Sequence, residues 1–111
     1  MTDTSWLLCD GRVLAAAEVA DSFAARSRGL LGRDRCDGAI VLPRARMVHT
    51  FGMRFPIDVA FCDGEMVVVD VTTLAPWRMS RPRRKARSVV EAEAGAFDRW
   101  GLRVGDRLEL R

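Results

Sequence analysis

Short apolar runs alternate with polar positions along most of this chain, and most runs end at Asp-Gly, Gly or Pro. Trp6-Leu7-Leu8-Cys9 is followed by Asp10-Gly11 and then by Arg12-Val13-Leu14. An Asp-Gly pair between apolar runs predicts a hairpin, because both turn positions need positive φ. Ile57, Val59 and Phe61 alternate with Asp58, Ala60 and Cys62, which predicts a half-buried strand with Asp58 facing solvent. Asp63-Gly64 reads as a second hairpin turn. Residues 65–74 then return with Val67, Val69 and Val71 on one face. Residues 38–42 and 88–94, and a last segment with Leu108 and Leu110 inward, read as further strands.

Two stretches have helical spacing instead. Asp21 offers an N-cap, Phe23, Ser27, Leu30 and Leu31 share one face, and Gly32 can close the helix. Residues 95–100 predict a second, shorter helix with Phe97 and Trp100 one turn apart and Gly101 as the stop. The expected fold is a single α+β, mainly β domain over residues 1–111. It is a small antiparallel sheet or partly open β-barrel of about six strands with two short helices. Cys-Asp-Gly occurs three times, at Cys9, Cys36 and Cys62, but the flanks differ and no duplication is inferred.

Residues 47–74 organise the chain. They hold its one His and a segment, Phe51-Gly52-Met53-Arg54-Phe55-Pro56, too broken by Gly and Pro to be a regular strand. That segment reads as an irregular crossing beside the sheet. Composition changes the picture only locally. Net charge is +3 over 111 residues, and Lys85 is the one Lys among 18 basic residues, the signature of an Arg-rich, GC-rich coding bias. Three cysteines with no C-x-x-C pair argue against a secreted disulfide framework and for reduced thiols in the cytoplasm. No signal peptide and no membrane-length apolar run is visible.

Three blocks resemble a known family. HTFGMRFPIDVAFCDGEMVVV, with RSRGLLGR before it and VVEAEAGAFDRWGLRVGDRLEL after it, is similar to the domain of unknown function 192 family of small bacterial and archaeal proteins. The resemblance implies a compact, mainly β domain and no established reaction. Many members carry an aromatic-Trp-Met-Lys-Asn-Thr segment where this chain has Gly52, Arg54 and Phe55-Pro56, and many carry an export signal.

The leading functional expectation is a cytoplasmic binding or accessory domain. Its site is expected around His49, Phe51, Met53, Arg54 and Asp58, extended by Arg78 and Arg81, with a small anion, nucleotide or acidic peptide as ligand. One alternative is a hydrolase-like enzyme using His49 with Asp58 or Cys62. Another is non-specific nucleic-acid contact through residues 78–87, six of them basic and none acidic, where Trp77 adds a ring for stacking. Arg26, Arg28 and Arg33 form a second basic cluster, with Arg28 expected to pair with Asp58 or Glu91. One His and scattered Cys support no metal site, and no cofactor is expected.

Overall fold

The computed structural model describes residues 4–21 and 37–111. The strands are β1 (Thr4–Cys9), β2 (Arg12–Val19), β3 (Ala39–Pro43), β4 (Ile57–Cys62), β5 (Val68–Leu74), β6 (Ser88–Glu93) and β7 (Leu108–Leu110), and α1 spans Ala96–Trp100. They form one mixed seven-stranded sheet in the order β5-β4-β6-β3-β2-β1-β7. It curls into a half-barrel whose ends meet on one side. There Val68 N–H donates to Asp106 O and Leu108 N–H to Met66 O, both at 2.8 Å.

The mainly β class is as expected, but the sheet is not purely antiparallel. β2 and β3 run parallel, with Ala17 opposite Ala39 and Val19 opposite Val41. Parallel neighbours need a long crossover, and residues 20–38 supply one. Gly38 enters β3 at φ 79, and a Cβ there would sit 2.5 Å from the Ala16 carbonyl oxygen, so only glycine fits. The expected helix after Asp21, and with it Arg26, Arg28 and Arg33, lies outside the described residues. The second helix forms where it was expected, stopped by Gly101 at φ 69.

The two Asp-Gly reversals differ. Asp10 (φ 52) and Gly11 (φ 76) make the expected two-residue turn between β1 and β2. At Asp63-Gly64 the left-handed residue is instead Met66 (φ 63). The Asp63 carboxylate accepts the N–H groups of Glu65 (2.9 Å) and Val67 (3.0 Å), so a side chain shapes that loop and β5 starts only at Val68. Of the glycines in the three Cys-Asp-Gly triplets, Gly11 (φ 76) and Gly38 (φ 79) are left-handed and Gly64 is not.

β3, β4 and β6 at the centre are buried on both faces. Ala60, Cys62, Val90 and Ala92 turn into the half-barrel, where Phe97 and Leu102 pack on them. Ile57, Val59, Phe61 and Val89 turn the other way, under Val48, Met53, Phe55 and Ala86. β4 is therefore not half-buried, and Asp58 is only 6% exposed. The error has a physical source. Strict alternation signals one wet face only if nothing covers the second, and here the face of Asp58, Ala60 and Cys62 lines the half-barrel under Phe97 and Leu102. At the chain's end Leu108 is buried but Leu110 is 36% exposed, so only one of the pair points inward.

Candidate functional site

The crossing after β3 does not lie alone on the sheet. Residues 46–50 pair with residues 78–83 as an irregular antiparallel ribbon. Thr50 N–H donates to Arg78 O (2.8 Å), Ser80 N–H to Val48 O (2.9 Å) and Arg83 N–H to Arg46 O (3.0 Å), and His49 bridges Met79. Val48, Thr50 and Ser80 turn inward and are buried.

Thr50 fastens the ribbon's end. Its hydroxyl donates to Ala75 O (2.6 Å) and accepts from Arg78 N–H (2.9 Å). Its carbonyl accepts the N–H groups of Met53 (3.1 Å) and Trp77 (3.0 Å). Trp77 sits at φ 61, a left-handed conformation that costs a bulky residue about 1–2 kcal/mol. The bonds to Thr50 hold it there, and its indole is 64% exposed. Phe51, 44% exposed, stacks on His49 at 4.8 Å and lies 6.4 Å from Trp77. The Phe51 N–H donates to His49 Nδ1 at 3.3 Å. Met79, 56% exposed, extends the same surface.

The expected site residues divide. His49, Phe51, Arg54 and Arg78 belong to this crossing and its partner loop, and Arg81 follows along the ribbon; all three arginines are exposed. Met53 is 3% exposed and belongs to the packing beneath the crossing. Asp58 is elsewhere, on the inner face of β4. Its Oδ2 accepts the N–H groups of Gly95 (3.0 Å) and Phe97 (3.1 Å), and its Oδ1 accepts from Thr73 Oγ1 (2.8 Å). It is the N-terminal cap of α1, supplied from across the sheet. The expected pairing of Arg28 with Asp58 or Glu91 lies outside the described residues.

Cys62 also lies on the inner face and is fully buried. Burial, and next the Asp63 carboxylate, push its thiol up to about 12. The sheet thus stands between the His49 loop and both Asp58 and Cys62. Two expected outcomes follow for the thiol. Iodoacetamide at pH 8 leaves Cys62 unmodified in the folded protein and alkylates it in urea, read by peptide mass spectrometry; equal labelling in both states contradicts the burial. The raised ionisation also means that its contribution to stability is complete below pH 9 and declines as pH climbs toward 12, because the unfolded thiol ionises first.

Among the basic residues of 78–87, Arg83 has a structural task. Its Nε donates to Asp70 (2.7 Å), and its guanidinium covers the buried Phe61 ring at 4.3 Å. Cavities of about 620 and 310 Å³ lie away from the crossing. The larger is between the two hairpin turns, and the smaller is beside Asp58 and Gly95. Among the described residues, no group of three or more His, Cys, Asp and Glu is arranged to hold a metal ion, and no helix is long and apolar enough to cross a membrane.

Residues 7–110 match the family described as "Uncharacterized ACR", domain of unknown function 192. The chain belongs to the domain of unknown function 192 family. It is 40% identical over 97 residues to a UPF0127 protein of Pyrococcus abyssi, covering 83% of each chain. With a UPF0127 protein of Pyrococcus furiosus the identity is 42% over 95 residues, covering 81% of this chain and 82% of that one. These relatives are archaeal. Two solved structures share the fold. A putative transcription regulator from Sinorhizobium meliloti 1021 superposes with a TM-score of 0.80 at 23% identity, over 99% of this chain and 94% of that one. A protein of unknown function from Novosphingobium aromaticivorans gives 0.74 at 18%, over 97% and 84%.

In this member of the domain of unknown function 192 family, Gly52 stands at φ 82, and the exposed rings come from Phe51 and Trp77. The sequence readings missed three things here. Sequence alone assigns Thr50 no role, and its burial follows only from the partner loop. Trp77 was weighed with the basic loop and Met79 not at all, although the ribbon joins both to His49. Arg46 has no local signal, and its place beside residue 83 is a tertiary fact.

Proposed function

We propose that this domain is a binding or accessory module, and that its ligand is a small anion carrying a planar ring, a nucleotide being the simplest example. The observation that carries the reading is the exposed ring surface of His49, Phe51 and Trp77, locked by Thr50 and flanked by Arg78. A soluble protein gains nothing in stability from holding an indole in water at a strained backbone position. Phe51 and Trp77 would stack the ring, and Arg78 and Arg54 would take the anion. The free thiols of Cys9 and Cys62 favour a reducing compartment, the cytoplasm. No observation favours the hydrolase-like alternative, whose residues lie on opposite faces of the sheet.

A titration with nucleotides and phosphosugars, followed by NMR, tests the reading. Nucleotides should shift the Trp77 indole and Phe51 ring signals, whereas phosphosugars, which lack a planar ring, should shift them less. Phe51→Ala and Trp77→Ala should each weaken nucleotide binding about tenfold or more, the worth of one stacking contact. Arg78→Gln should weaken nucleotides and leave nucleosides unchanged. No shift at either ring with millimolar nucleotide would end the proposal.

A further inference from the structure

The ring surface is one end of a longer strip. The ribbon continues from Thr50 and Arg78 to Arg46 and Arg83, and its flanks carry Arg44, Arg81, Arg84 and Lys85, all exposed. Segments 44–57 and 75–90 hold nine of the 18 basic residues and none of the 15 acids. The whole chain is +3, so these two segments carry +9 and the remaining residues −6. A coding bias toward Arg explains many arginines. It does not explain why acids are missing from two segments, far apart in sequence, that the fold lays side by side. Arg83 is neutralised by Asp70, and the strip stays strongly cationic without it.

We infer that this strip binds single-stranded nucleic acid, with a base on Phe51 and Trp77 and the following phosphates along Arg46, Arg81 and Arg84. The inference rests on the nucleotide reading above and extends it to a chain. Three features favour a single strand. The rings are exposed, Phe51 at 44% and Trp77 at 64%, and only an unpaired base offers a face to stack on them. The cations run along a line leading away from the rings, as a phosphate backbone does. An acidic peptide would satisfy the cations and leave the rings in water. The Thr50–Arg46 stretch spans about 13 Å of extended chain, and with the ring surface it accommodates on the order of 4 nucleotides, the low end of single-strand sites.

Fluorescein-labelled oligothymidylates of one to eight nucleotides, titrated into the full chain, provide the test. Affinity should rise tenfold or more from thymidine monophosphate to the tetranucleotide and then level off. It should fall with salt at a slope of about −0.7 for each phosphate engaged. The triple variant Arg46→Gln, Arg81→Gln, Arg84→Gln should flatten that slope by about 2 units and lose at least tenfold for the tetranucleotide. The monophosphate shift at Trp77 should be unchanged in that variant. Arg84→Gln alone repeats the measurement if the triple variant does not fold, and the length series needs no variant. Affinity independent of length, with monophosphate binding intact, overturns the inference and leaves the nucleotide site standing. Loss of both sinks the two together. Equal competition by a DNA duplex, by poly-glutamate or by phosphatidylserine vesicles overturns it in favour of duplex, peptide or membrane contact.

Discussion

Asp58→Ala should lower the unfolding free energy by about 3 kcal/mol, as charge-assisted bonds to a buried carboxylate lose their acceptor. The carboxylate is 6% exposed and accepts three hydrogen bonds. Without it the Phe97 N–H is left buried beside an apolar cluster, with Gly95 N–H next to it, and Gly95, the N-cap residue of α1, supplies no side-chain bond. Asp58→Asn should cost less, because the amide keeps one acceptor oxygen. Thr73→Val removes one bond only and should cost about 1 kcal/mol. Urea unfolding with an unchanged m-value checks the series. An Asp58→Ala protein within about 0.5 kcal/mol of the parent would mean that α1 is held by packing of Phe97 and Leu102 alone.

Thr50→Val should cost about 2 kcal/mol and also abolish ligand binding at the ring surface. The substitution keeps the shape and removes the hydroxyl, leaving the Ala75 carbonyl and the Arg78 N–H without their partner. Trp77 is strained in the left-handed region, so the loop should relax once that anchor is gone, and the rings should move apart. Thr50→Ser, which keeps the hydroxyl, should retain nucleotide shifts at Trp77. The double readout separates two roles. A Thr50→Val protein that loses stability but binds as the parent does would make Thr50 a core residue and nothing more. One that keeps both would remove the clamp from the account.

How much could be read in advance depended on the range of the interaction. Asp10-Gly11 and Gly101 act within a few residues, and both turned out where the chain's own chemistry put them. The mainly β class followed from alternation. The second reversal failed on a local detail, because Asp63 used its side chain and shifted the left-handed residue to Met66. Asp58 failed on a long-range one, since its partners Gly95 and Phe97 are 37 and 39 residues away.

The chain by itself determined the strands, the short helix at residues 96–100, the family, and a crossing too irregular to join the sheet. Periodicity, turn chemistry and motif order are properties of neighbours. The parallel β2–β3 pair, the burial of Asp58 on the inner face of β4 and the meeting of Thr50 with Trp77 and Arg78 were decided only by the tertiary structure. Each depends on which segment comes to lie against which. A sequence displays the hydrogen-bonding and charged groups, but their partners are chosen when loops distant along the chain close over the same sheet.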